Sequence, residues 1–129
     1  MKDKKLSLQM MQIAERDINS LFGMLDNPEV FDDAVFGFHA QQAVEKILKA
    51  ILTFNGIEYK RTHDLQTLFL QTDDAGVEFS IEIKNLEELT SFAVEFRYDL
   101  FIEDETLNRK EIYDTIKELQ QIILEAINK

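Results

Sequence analysis

Apolar positions recur along most of this chain at the spacing of a helix rather than a strand. Between Lys4 and Asp26, the residues Met10, Ala14, Leu21 and Leu25, joined by Met11, Ile18 and Met24, fall on one side at about 100° per residue, which predicts an amphipathic first helix. Asn27 followed by Pro28 has the form of an N-cap and a first-turn proline, so a second helix is expected to start there and run to about Asn55, before Gly56. Its apolar face is Phe36, Ala40, Ala43, Val44, Ile47, Ala50, Ile51 and Phe54. A short helix is expected from Asp64 to Gln71, with Thr62 as its cap, and another from Ile81 to Phe96 carrying Leu86, Leu89, Phe92, Ala93 and Phe96. Asn108 with Glu111 makes a capping-box-like start for a last helix, in which Ile112, Ile116, Leu119, Ile123 and Ala126 repeat.

The alternation in Val77 to Ile83 also suits a strand, but no second strand is available to pair with it, and an isolated strand would leave backbone groups unsatisfied. No internal repeat, low-complexity tract or linker divides the chain; its weakest segments are Asn27 to Glu29, Asn55 to Thr62 and Thr72 to Ser80. The expectation is one domain over residues 1–129, all-α, an antiparallel up-and-down four-helix bundle with an extra short helix.

Composition narrows the classes open to such a bundle. At 45% hydrophobic, with ten Phe against four Gly and one Pro, the chain is too apolar to be disordered and too poor in turn residues for a barrel. The absence of cysteine removes disulfides, thiolate metal sites and a thiol nucleophile, and fits a reducing compartment; the cytoplasm is expected. The N-terminal segment lacks the pattern of a signal peptide, and no stretch approaches the roughly 20 apolar residues needed to cross a bilayer, so no membrane association is expected. With 25 acidic against 14 basic residues the formal charge is -11, which opposes broad, sequence-independent grip on nucleic acid; any nucleotide or RNA site must be local.

Candidate chemistry lies in four places. Asp17 falls inside the apolar arc of the first helix, between Met10 and Met24, where a carboxylate needs a partner; Lys46 and Arg97 are the expected ones, and the role is a structural ion pair. His39, Gln42, Lys46 and Lys49 share a polar stripe beside the apolar face of the second helix. That stripe reads either as a solvated face, supported by a Glu45–Lys49 pair at i,i+4, or as the cationic edge of a groove. The segment Tyr59-Lys60-Arg61-Thr62-His63-Asp64-Leu65 places three potential cations and a hydroxyl together just before a helix whose N-terminal amides suit phosphate; a bracing or capping role for His63 is the alternative. Arg97 and Tyr98 join a guanidinium to an aromatic hydroxyl, fit to bind phosphate, stack on a base, or staple helix ends. There is no Gly-rich phosphate loop, no His or Cys metal spacing and no nucleophile elbow, so neither cofactor nor metal is expected.

Taken together, His39-Ala40-Gln41-Gln42-Ala43-Val44-Glu45-Lys46 followed by Lys49-Ala50, then Thr62-His63-Asp64-Leu65, then Arg97-Tyr98, in this order and with Ala14 to Asp17 ahead of them, resemble the HEPN family over nearly the whole chain. The resemblance implies a helical bundle, commonly a homodimer, often encoded beside a minimal nucleotidyltransferase in toxin–antitoxin type systems and associated with nucleotide or RNA binding. Many members are metal-independent ribonucleases that use an Arg, four to six residues, then His. Here Arg16, Arg61, Arg97 and Arg109 reach no histidine at that interval, and the Arg-Tyr-Pro form of the third block appears as Arg97-Tyr98-Asp99. The resulting expectation is a non-catalytic nucleotide-binding module, an accessory partner of a nucleotidyltransferase, with His39, Lys46, Lys49, Arg61, His63, Arg97 and Tyr98 as phosphate or nucleotide contacts. The alternative is a ribonuclease with a nonstandard site at Arg97 and His63.

Overall fold

The computed structural model describes residues 2–79, 84–91 and 107–129, and all regular structure among them is helical. The elements are α1 (Lys4–Met24), α2 (Asp33–Phe54), α3 (Leu65–Asp74), α4 (Lys84–Glu87) and α5 (Arg109–Asn128). The predicted helix over Ile81 to Phe96 is described at α4 and at Thr90 and Ser91; Phe92, Ala93 and Phe96 lie outside the described residues, as does the greater part of the connection to α5. None of the described helices is long and apolar enough to cross a membrane.

Caps explain where the helices start. Asp3, Asp32, Asp64 and Asn108 each accept a hydrogen bond from a backbone amide in the first turn that follows. The predicted start of α2 at Asn27-Pro28 is corrected by this pattern. Asn27 instead closes α1, its side-chain amide donating to Gly23 O at 2.9 Å, while its carbonyl accepts from Val30 and Phe31 in a single turn. The Asp32 carboxylate is the stronger acceptor for the new helix end, and it draws the start of α2 five residues later. Asp64, rather than Thr62, caps α3; Thr62 Oγ1 accepts from Asp64 N one step earlier. At the other ends, Gly56 (φ 74°) and Gly76 (φ 81°) take the left-handed conformation that lets Ile57 N reach Leu52 O and Val77 N reach Thr72 O, ending α2 and α3.

α1 and α2 run antiparallel: Asp3 N donates to Thr53 O near one end, and Asp17 meets His39 and Lys46 toward the other. α5 begins beside the end of α1, where Arg109 reaches Met24 O and Tyr113 meets Phe22. The core holds Met11, Ala14, Ile18, Leu21 and Met24 of α1, the predicted α2 face except for half-buried Phe54, and Ile112, Ile116, Leu119, Ile123 and Ile127 of α5. Met10, Leu25 and Ala126 pack only at its margin. Leu48 and Leu52 are fully buried as well, because α3 covers a second face of α2 with Leu65, Leu68 and Phe69. Each such Leu or Ile stabilises the fold by about 2 kcal/mol through the surface it removes from water. Buried on two faces, α2 keeps one narrow polar arc, and the stripe of His39, Gln42, Lys46 and Lys49 occupies it.

Candidate functional site

The stripe is organised by two carboxylates set beneath it. Asp17, held by the pairing of α1 with α2, puts Oδ2 at 2.6 Å from Lys46 Nζ and Oδ1 at 3.1 Å from His39 Nδ1. The expected ion pair with Lys46 is therefore present, His39 is an additional partner, and Arg97 lies outside the described residues. Both oxygens of a largely covered carboxylate are thus engaged, which offsets the cost of removing it from water.

Glu45 is the second anchor. The Glu45–Lys49 pair exists at 3.0 Å, but the solvated face expected for it does not: the Glu45 side chain is only 7% exposed and that of Lys49 15%. Leu48 and Leu52 share with Glu45 the flank of α2 that α3 covers, so the carboxylate is enclosed. Its Oε1 accepts from His63 Nδ1 at 2.8 Å and from Gln41 Nε2 at 2.9 Å. Gln41, fully buried, also donates to His63 O at 3.0 Å and accepts from Gln42 Nε2 at 2.8 Å, tying the loop after α2 to the stripe. Burial alone would push the Glu45 carboxyl up, but the hydrogen bonds from His63, Gln41 and Lys49, together with the Lys49 charge, outweigh it and hold the group below the usual glutamate range.

An ionised carboxylate only accepts, so Nδ1 of each histidine donates to it and Nε2 is the ring nitrogen left for a ligand, an acceptor in the neutral ring and a second donor in the imidazolium. Each lysine spends one of its three donors on its carboxylate. Lys49 also lies 5.1 Å from the centroid of the Tyr59 ring, which helps hold it in place. The sum is a row of His39, Lys46, Lys49 and His63 fixed from below, with His39, Lys46 and His63 open to solvent and Lys49 largely covered.

Arg61 stands apart from that row. It is exposed, has no ion pair among the described residues, and lines an open depression of about 370 Å³ with Asp3, Leu6, Ile57, Glu58 and Tyr59. The N-terminus of α3 is also not the phosphate cradle that the sequence suggested. The amide of Gln66 donates to Asp64 Oδ1 and that of Leu65 to Thr90 Oγ1, while the Asp64 carboxylate occupies the helix end where an anion would sit. Arg97 and Tyr98 lie outside the described residues. Among the described residues no group of three or more His, Asp or Glu side chains could hold a metal ion.

Sequence reasoning missed two residues that matter. Glu45 enters the sequence reading only as a partner for Lys49 and as one position of the family block; its place on one flank of α2 with Gln41, Leu48 and Leu52 is the available signal. Arg109 is buried, donates to Met24 O, Phe31 O and the Asp33 carboxylate, and lies 5.1 Å from the Phe36 ring centroid. Nothing in the helical periodicity of α5 marks it.

No curated protein and no solved structure matches the chain. The family model described as the HEPN domain matches residues 8–129, which takes in all the blocks of the resemblance and every side chain of the stripe. With a helical bundle in place and that match covering nearly its full length, the chain belongs to the HEPN domain family.

Proposed function

We propose that this chain is a non-catalytic nucleotide-binding module whose stripe of His39, Lys46, Lys49 and His63 contacts phosphate, with Arg61, Arg97 and Tyr98 as further contacts. One observation carries the reading: two covered carboxylates, Asp17 and Glu45, fix His39, Lys46 and Lys49 on the polar arc of α2 and His63 on the loop beside it, leaving further ammonium donors on the lysines and Nε2 free on each histidine. Preorganised cations lose little side-chain entropy on binding, so a few of them suffice for a small polyphosphate even on an acidic protein. Long RNA would call for a wider basic surface than a chain of charge -11 offers.

The test is calorimetric titration of the folded protein with ATP, GTP, CTP and UTP. Binding in the millimolar range or tighter, weakened by Lys46→Ala, is expected; no heat from any of the four at millimolar concentration would overturn the reading. We further propose that the module acts as a homodimer and as the accessory subunit of a minimal nucleotidyltransferase in a toxin–antitoxin type system. Light scattering at working concentration and co-purification with a transferase encoded beside it test these two points separately. Loss of labelled RNA in metal-free buffer, abolished by His63→Ala, would instead favour a ribonuclease.

A further inference from the structure

The geometry points to the depression beside Arg61 as the nucleoside subsite of the ligand, a reading that rests on the phosphate site proposed above. Tyr59 joins the two places, for it lines the depression while its ring lies against the Lys49 ammonium. A molecule bound along the stripe at Lys49 and His63 therefore reaches the depression by crossing one side chain.

The chemistry of the walls decides which end of the ligand goes where. Leu6, Ile57 and Tyr59 supply apolar and aromatic surface, and Leu6 stays 45% exposed. Arg61 brings an exposed guanidinium to the same wall. Against it stand the carboxylates of Asp3 and Glu58, so the depression has no surplus of positive charge and repels a triphosphate. The phosphates belong at Lys49 and His63, and the flat, uncharged base in the depression. Its volume, about 370 Å³, falls at the small end of ligand pockets at roughly 300–1,000 Å³, in keeping with a single nucleoside.

The experiment compares ATP with inorganic tripolyphosphate, which carries the same phosphate chain without a nucleoside, by calorimetry on the full chain and on Leu6→Ser. Leu6 is a half-exposed side chain in the first turn of α1, so the variant is expected to fold, which circular dichroism checks. Wild type should bind ATP about ten-fold tighter than tripolyphosphate, the range that one stacked base contributes. Leu6→Ser should lower ATP affinity about three-fold and leave tripolyphosphate unchanged. In amide spectra Gly56 and Ile57 should shift with ATP and not with tripolyphosphate. Equal affinity for the two ligands in wild type, or equal loss of both in Leu6→Ser, overturns the subsite while leaving the phosphate site standing. Binding of neither ligand removes the phosphate reading and this one with it.

Discussion

The protein buries charge in two opposite ways. At the Arg109 clamp the cation is enclosed, 9% exposed, and its carboxylate partner Asp33 is 35% exposed. Along the stripe the carboxylates are enclosed, Asp17 at 13% and Glu45 at 7%, while their partners His63, His39 and Lys46 are 44%, 33% and 30% exposed and only Lys49, at 15%, is covered with its carboxylate. The difference separates a fastening from a candidate site. A buried guanidinium with each of its three nitrogens aimed at carbonyls or a carboxylate is spent on the fold, whereas a buried carboxylate takes one bond from each partner and leaves the rest of the lysine ammonium and the far ring nitrogen of histidine for a ligand. Inward-facing positive charge ties the ends of α1, α2 and α5 together; outward-facing positive charge is free to recognise something.

The most severe way to probe this contrast is Arg109→Met. It strips hydrogen bonds from Met24 O and Phe31 O and removes the contact with Phe36, and so should cost about 3 kcal/mol, the lower end for breaking a buried charged pair. Urea denaturation measures the loss. Nucleotide affinity of the fraction still folded should be unchanged, and a parallel loss of affinity would mean that the clamp and the stripe are not separate in role.

Glu45→Gln should come next, at about 1–2 kcal/mol, because Lys49 and His63 lose their charged acceptor while the amide oxygen still accepts from one of them. This variant also has a pH signature. The folded-state carboxyl of Glu45 titrates below its unfolded value, so its contribution is fully present above the ordinary glutamate pKa of about 4.3 and is lost as pH falls through the lower folded value. Wild type should therefore lose stability in that acid window more steeply than Glu45→Gln. Parallel curves from neutral pH down to about pH 3 would show that Glu45 is not held ionised by its partners.

Lys46→Ala sharpens the comparison from the ligand side. Asp17 keeps His39, so the stability change should stay under about 1 kcal/mol, while ATP affinity should fall about ten-fold with the loss of a charge-assisted bond. A large loss of stability with unchanged affinity would place Lys46 in the same class as Arg109.

Much of this arrangement is legible in the sequence, and the parts that are not have definite physical causes. The apolar faces of α1, α2 and α5 follow from periodicity because one helix face meets one core, and Asp17 betrayed its ion pair by sitting between Met10 and Met24. Leu48, Leu52 and Glu45 escaped because they belong to a second buried face, created only when α3 folds back over α2; a single helical wheel has no place for it. The start of α2 is hard to place from sequence because Asn27-Pro28 and Asp32 both satisfy the local rules for a cap; the Asp32 carboxylate is the stronger acceptor, and Arg109, far along the chain, fastens the intervening turn through Phe31 O and Asp33. Arg61 looked equivalent to His63 two positions later, yet the backbone between them turns one toward Glu45 and leaves the other beside Asp3 and Glu58.

Arg61 accordingly provides the mildest test. An exposed guanidinium without an ion pair among the described residues contributes nothing to folding that water does not already supply, so Arg61→Ala should leave the denaturation midpoint within the small range typical of surface changes. Its influence on ATP should be two- to three-fold at low ionic strength, because an exposed charge acts through solvent, and should vanish near 1 M salt, where the screening length is about 3 Å. Lys46 and Lys49 hold their positions through covered carboxylates, so part of their effect on ATP should survive the same salt. Titrations of Arg61→Ala and Lys46→Ala at low and high salt distinguish the two kinds of cation directly. If the Arg61 effect persists in high salt while the Lys46 effect disappears, the positions anchored from below are not the ones that grip the ligand.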